Sequence, residues 1–153
     1  ELHIYSASLF KGNVAARLEG ILKVVTAARD QNVIVKSPEA DPEMAAAYTN
    51  ARAHLYPVIG TEFYSSTLAE SQASGTPAII YASDGSSTII AERIQNGQTG
   101  HIAPDDDAFV NLALDLLSEK SDMYQSLSRD AKTLQSGRNW QSATIEFEAL
   151  WKA

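Results

Sequence analysis

Glu62 and Glu70 bracket the stretch Glu62-Phe63-Tyr64-Ser65-Ser66-Thr67-Leu68-Ala69-Glu70, an E-x7-E spacing. Two carboxylates in one cleft can accept hydrogen bonds from the hydroxyls of a sugar. They can also stabilise positive charge as it develops at a reacting carbon. Between them, Ser65-Ser66-Thr67 reads as the opening of a short helix, whose free N–H groups and dipole favour a phosphate. The hydroxyls add further donors. Phe63 and Tyr64, aromatic residues beside an acid, suit a sugar or a base. Other readings stand beside these. Thr67-Leu68-Ala69-Glu70 also fits a capping box, and a carboxylate folded back onto the cap cannot reach into a cleft. Glu62 alone also fits a solvated surface acid.

Other polar groups have simpler explanations. Asp105-Asp106-Asp107 has a D-x-D pattern that suits a divalent cation, but it directly precedes an amphipathic helix, so capping and the dipole explain it without a metal. His3, His54 and His101 lie in or beside strand-like runs with no ligand-spaced partner, and no metal is expected. His54, inside an apolar run, reads as a satisfied buried histidine. Asp84-Gly85, Asn96-Gly97 and Thr99-Gly100 read as turns. No nucleophile elbow, phosphate loop or dinucleotide fingerprint is present.

The elements that must position the acids alternate between strand and helix, the pattern of a parallel α/β sheet. Strands are expected over Leu2–Tyr5, Asn32–Val35, His54–Tyr56, Ala78–Tyr81 and His101–Ala103. Val14, Leu18, Ile21, Leu22 and Val25 recur at helix spacing behind Asn13. Asp41-Pro42-Glu43 is a second helix start. Further helices are expected over Thr67–Ser74, Ser87–Gln95, Phe109–Leu117, Asp122–Leu134 and Trp140–Trp151. Gly75 and Pro77 punctuate the passage from helix to strand. In the last helix, Trp140, Ala143, Thr144, Phe147 and Trp151 form one apolar stripe, expected to pack into the core.

Composition narrows the classes. At 153 residues, with 44% hydrophobic and 20% charged residues, the chain is one domain's worth of ordinary globular protein. A net charge of −7 argues against a broad nucleic-acid footprint but not against one bound nucleotide. Without cysteine there are no disulfides or thiolate metal sites. No apolar run is long enough to span a bilayer, so membrane association is not indicated. The chain runs from Glu1 straight into a strand, as a piece of a longer protein would.

Tyr56-Pro57, Glu62, Glu70, Ser74-Gly75-Thr76-Pro77 and Asn96-Gly97-Gln98-Thr99-Gly100-His101-Ile102 occur in an order that resembles the C-terminal, nucleotide-sugar-binding domain of retaining GT-B glycosyltransferases. The resemblance extends from Leu2 to the terminal helix. It implies a single Rossmann-like domain over 1–153, mostly parallel, with helices on both faces of the sheet. Leu2–Ser6 fits the family's second strand, so the first strand–helix unit is expected to be missing, along with its Arg and Lys and the N-terminal acceptor domain. Lys11-Gly12 only faintly echoes that lysine. By resemblance Glu62 faces the anomeric centre of the donor sugar and is the catalytic residue, with Phe63 beside it. Glu70 grips the ribose, backbone amides of Tyr64, Ser65, Ser66 and Thr67 meet the sugar and diphosphate, and Ser37-Pro38 lies against the base. The implied ligand is a nucleoside-diphosphate sugar, without cofactor or metal. The parent is expected to be a cytoplasmic glycosyltransferase and this piece alone inactive. The alternatives are a non-catalytic nucleotide-sugar or glycan-binding module of the same fold, or an unrelated flavodoxin-like interaction domain.

Overall fold

The computed structural model describes residues 1–5, 23, 27, 32–37, 39–57, 64–81, 93–118 and 122–152. Glu62, Phe63, Pro38, Lys11, Asn13 with the stripe it was expected to cap, and Asp84-Gly85 lie outside the described residues. So does most of the expected 87–95 helix; Ile94 and Gln95, within it, are not helical. The chain divides into two compact units, Glu1–Met44 and Ala45–Ala153.

In the first unit, β1 (Leu2–Tyr5) pairs in parallel with β2 (Val33–Lys36), Leu2 opposite Val33 and Tyr5 opposite Lys36. The second strand starts one residue later than its composition suggests. Asn32 has φ +62, a left-handed conformation that asparagine tolerates and a strand does not admit. Helix α1 (Asp41–Asn50) carries Asp41 and Glu43 in its first turn, at the positive end of its dipole. The boundary between the units falls within it.

The second unit is built on three parallel strands, β3 (His54–Tyr56), β4 (Ala78–Tyr81) and β5 (Gly100–Ala103), with β4 in the middle. Side chains alternate across this sheet, and each face takes its own cover. On one face Ala78 and Ile80 pack with Leu68 of α2 (Ser66–Ala73), with Ile94, and with Tyr56 and Ile102. On the other, Ile79 and Ala103 pack with Ala113 and Leu116 of α3 (Asp106–Leu117), Leu127 of α4 (Asp122–Ser136), and Leu55. The apolar run Ala78-Ile79-Ile80 is thus buried on both sides, as a central parallel strand requires.

Glycines fix two close approaches. Gly75 ends α2 at φ +83, and a Cβ there would stand 3.1 Å from Ser128 Oγ of α4. Gly100 is the first residue of β5 rather than part of the preceding turn, because a Cβ there would lie 2.3 Å from the Ala78 carbonyl oxygen. Arg52 ties elements together from outside them. Its Nε donates to Leu116 O at 2.8 Å and its Nη2 to Ser118 O at 2.9 Å, at the carboxyl end of α3. Its guanidinium also stacks 4.1 Å from the centre of the Tyr124 ring. α3 has no basic residue in its last turn, so Arg52 supplies the cation that its dipole favours there.

The terminal helix corrects an expectation. α5 (Trp140–Lys152) buries none of its residues, and Trp140 and Trp151 are 90% and 82% exposed. Its apolar stripe is present, but the core of this chain does not receive it.

Candidate functional site

β3 runs into α2 across the carboxyl edge of the sheet, where open α/β sheets bind ligands. The start of α2 is set by Ser65. Its backbone is extended (φ −125, ψ 109), and its buried Oγ accepts a hydrogen bond from Leu68 N at 3.3 Å and lies 3.0 Å from Thr67 Oγ1. The cap is therefore Ser65 and not Thr67. Three residues beyond the cap stands the buried Leu68, so the capping box with Glu70 does not form. Glu70 lies exposed, and its carboxylate bonds to no described residue. The N–H groups of Ser66 and Thr67 likewise have no partner among the described residues. The structure thus brings Tyr64, Ser65, Ser66, Thr67 and Glu70 together around one helix end. Ser37 is exposed at the end of β2, in the first unit.

Behind this helix lies a histidine. His54 of β3 sits 2.8 Å through Nδ1 from Ser71 Oγ of α2, while Ser71 Oγ donates to Leu68 O at 3.0 Å. With the hydroxyl proton committed there, His54 Nδ1 must be the donor, which assigns the neutral Nδ1–H tautomer. Burial pushes its pKa down to about 4. Its ring lies between those of Tyr48 and Tyr56, with centroids at 5.6 and 5.5 Å. His54 is thus a half-buried histidine, hydrogen-bonded through Nδ1, that couples strand to helix.

Beside the helix start lies a residue that sequence patterns gave no reason to single out. The Arg93 guanidinium stacks 4.3 Å from the centre of the Tyr64 ring, and Tyr64 is 61% exposed. Gln72 of α2, fully buried, donates Nε2 to Arg93 O at 3.1 Å. Only an unpaired-looking arginine just ahead of the Asn96-Gly97 turn could have hinted at this, and its partners are distant in sequence.

Asp105, His3 and Asn96 are engaged locally. Asp105 caps α3, its Oδ1 accepting from Ala108 N at 2.7 Å, with Asp106 and Asp107 in the first turn. His3 pairs with Glu1 at 3.1 Å. His101 is buried with Nε2 unpartnered, and burial lowers its pKa against the opposing pull of Asp115. Among the described residues no three His, Asp or Glu side chains are grouped to hold a metal. Asn96-Gly97 is a turn, with Gly97 at φ +79 and its N–H donating to Gly100 O at 2.9 Å. A shallow pocket of about 310 Å³ at the carboxyl edge is lined by Pro57, Tyr81, Asp106, Phe109 and Val110. No described helix is long and apolar enough to cross a membrane.

No family model matches the sequence, and no curated protein matches it. Solved structures do. Sucrose-phosphate synthase from Thermosynechococcus elongatus superposes with a TM-score of 0.79 at 19% identity, over 99% of this chain and 37% of that one. HepE of Anabaena, in complex with UDP-glucose, gives 0.68 at 13% identity, over 95% of this chain and 40% of its own. The pneumococcal O-GlcNAc transferase GtfA, in complex with UDP and GlcNAc, gives 0.59 at 15% identity, over 97% and 28%. The chain therefore spans less than half the length of each of these three structures. Its α/β architecture, followed almost from end to end, is the fold of a GT-B glycosyltransferase C-terminal domain.

Proposed function

We propose that the chain is the donor-binding part of a retaining glycosyltransferase, holding a nucleoside-diphosphate sugar while the sugar passes to an acceptor. The observation that carries this reading is the Ser65-capped start of α2 at the carboxyl edge of a parallel sheet. There the amides of Ser66 and Thr67 have no partner among the described residues, and an exposed Glu70 stands one turn further on. Unpaired amides at the positive end of a helix bind phosphate oxygens. As the bond from the anomeric carbon to the diphosphate oxygen breaks, its electron pair passes to that oxygen, and the same amides stabilise the charge. Glu70, not engaged by the cap, is available to accept from ribose hydroxyls. The family resemblance would assign Glu62 to the anomeric centre, Phe63 and Tyr64 to the sugar, and Ser37 with Pro38 to the base. No metal or cofactor is required in this scheme. HepE and GtfA were solved with UDP-glucose and with UDP and GlcNAc, which favours a nucleotide sugar here too. The acceptor is received by a separate N-terminal domain of a longer, cytoplasmic parent, and this chain alone is inactive.

The test is calorimetry of the full-length protein against UDP-, GDP- and ADP-sugars, beside turnover for two variants. Glu70→Gln removes a charge-assisted hydrogen bond of about 1.5–3 kcal/mol, so nucleoside diphosphate affinity should fall roughly tenfold or more. Glu62→Gln should leave that affinity nearly unchanged and reduce turnover, because its contact strengthens as charge develops on the sugar. Melting curves exclude unfolding. Equal, small effects at both positions would remove the glutamates from the mechanism. Binding without any turnover would favour a non-catalytic sugar-nucleotide module.

A further inference from the structure

We infer that Arg93 binds the leaving diphosphate through the N–H donors of its guanidinium, while the cation lies over the Tyr64 ring. This rests on the donor-binding reading above and assigns it a residue. Three contacts fix where Arg93 stands. Its guanidinium lies 4.3 Å from the centre of the Tyr64 ring, one residue before the helix cap. Its carbonyl accepts from Nε2 of the fully buried Gln72. Its neighbour Ile94, 4% exposed, packs in one cluster with Leu68 from the first turn of α2. Gln72, near the far end of α2, thus holds the Arg93 backbone, while the side chain reaches Tyr64 beside the start of the helix.

The chemistry of the stack decides what the side chain can still do. Cation–π attraction to the Tyr64 ring is no substitute for a hydrogen-bond acceptor, so the guanidinium keeps in-plane N–H donors to offer a ligand. Among the described residues no carboxylate or carbonyl takes them. A fork of donors held against a ring, with no acceptor among the described residues, fits the oxygens of a phosphate, and little side-chain freedom remains to be lost on binding. The helix end supplies only about half an elementary charge, well short of balancing a diphosphate. Arg93 adds a full one.

Full-length wild-type protein, Arg93→Ala and Arg93→Lys are titrated with the best-bound of UDP, GDP and ADP, and with its free nucleoside. Arg93→Ala should weaken the diphosphate roughly tenfold or more and leave the nucleoside within about twofold. Arg93→Lys, which keeps the charge but not the fork, should fall between. The difference between wild type and Arg93→Ala should shrink as salt is raised. If Arg93→Ala does not fold, the Arg93→Lys comparison carries the same test, with a several-fold loss for the diphosphate only. Equal losses for diphosphate and nucleoside, or no loss, would overturn the assignment while leaving the donor site intact. Wild-type protein that binds no nucleoside diphosphate would instead remove the donor reading, and Arg93 with it.

Discussion

His54 carries a pH dependence whose sign follows from its burial. Its pKa in the folded protein is about 4, against an ordinary value of 6.5. Between those values the unfolded chain binds the proton and the folded one does not, so stability falls as pH drops from about 6.5 towards about 4. The full shift corresponds to about 3 kcal/mol, at roughly 1.4 kcal/mol per unit. Denaturant melts at pH 7 and pH 5 should show the loss, and His54→Asn should flatten it; an unchanged slope in the variant would assign the dependence elsewhere. The apolar run around His54 suggests full burial, whereas the residue is half-buried, and its partner Ser71 is not legible, since the contact joins a strand to a helix. The cap shows a similar limit. Ser65, Ser66 and Thr67 are all good cap residues, and only the backbone turning helical at Ser66 selects Ser65. Arg93 was illegible because a stack on an aromatic ring leaves no periodicity.

The elements themselves were mostly legible, because short runs of Ile, Val and Tyr bounded by Gly and Pro define buried parallel strands without help from tertiary structure. Their limits were not, since these depend on contacts from other elements. Gly100 is the clearest case. Gly100→Ala would drive a Cβ to 2.3 Å from the Ala78 carbonyl oxygen, forcing β5 away from β4. A loss on the order of 3 kcal/mol is expected. Gly97→Ala, at φ +79 but with nothing within 4 Å, should cost only about 1 kcal/mol. Thermal melts of the two variants check the ranking, which depends on packing at one site and dihedral strain at the other. The stripe on α5 marks the reverse limit: periodicity shows that a helix has an apolar face and does not say what covers it.

At the scale of the whole molecule, the acids Asp105, Asp106 and Asp107 serve the fold. On the donor-binding reading proposed above, any transfer by the full-length protein should survive a chelator, and Asp105→Ala should cost about 1 kcal/mol of stability through the lost cap without abolishing that transfer. Activity abolished by chelation, restored by manganese and lost in Asp105→Ala would overturn this. The central position of β4 has one further consequence, for the route by which the second unit forms. Neither β3 nor β5 can find β4 through a hairpin, because parallel neighbours need a crossover and α2 with its flanking loops lies between the first pair. Loop-closure entropy is then spent before the buried faces of Ile79 and Ile80 offer any return, so assembly of this sheet is a search over distant segments and correspondingly slow.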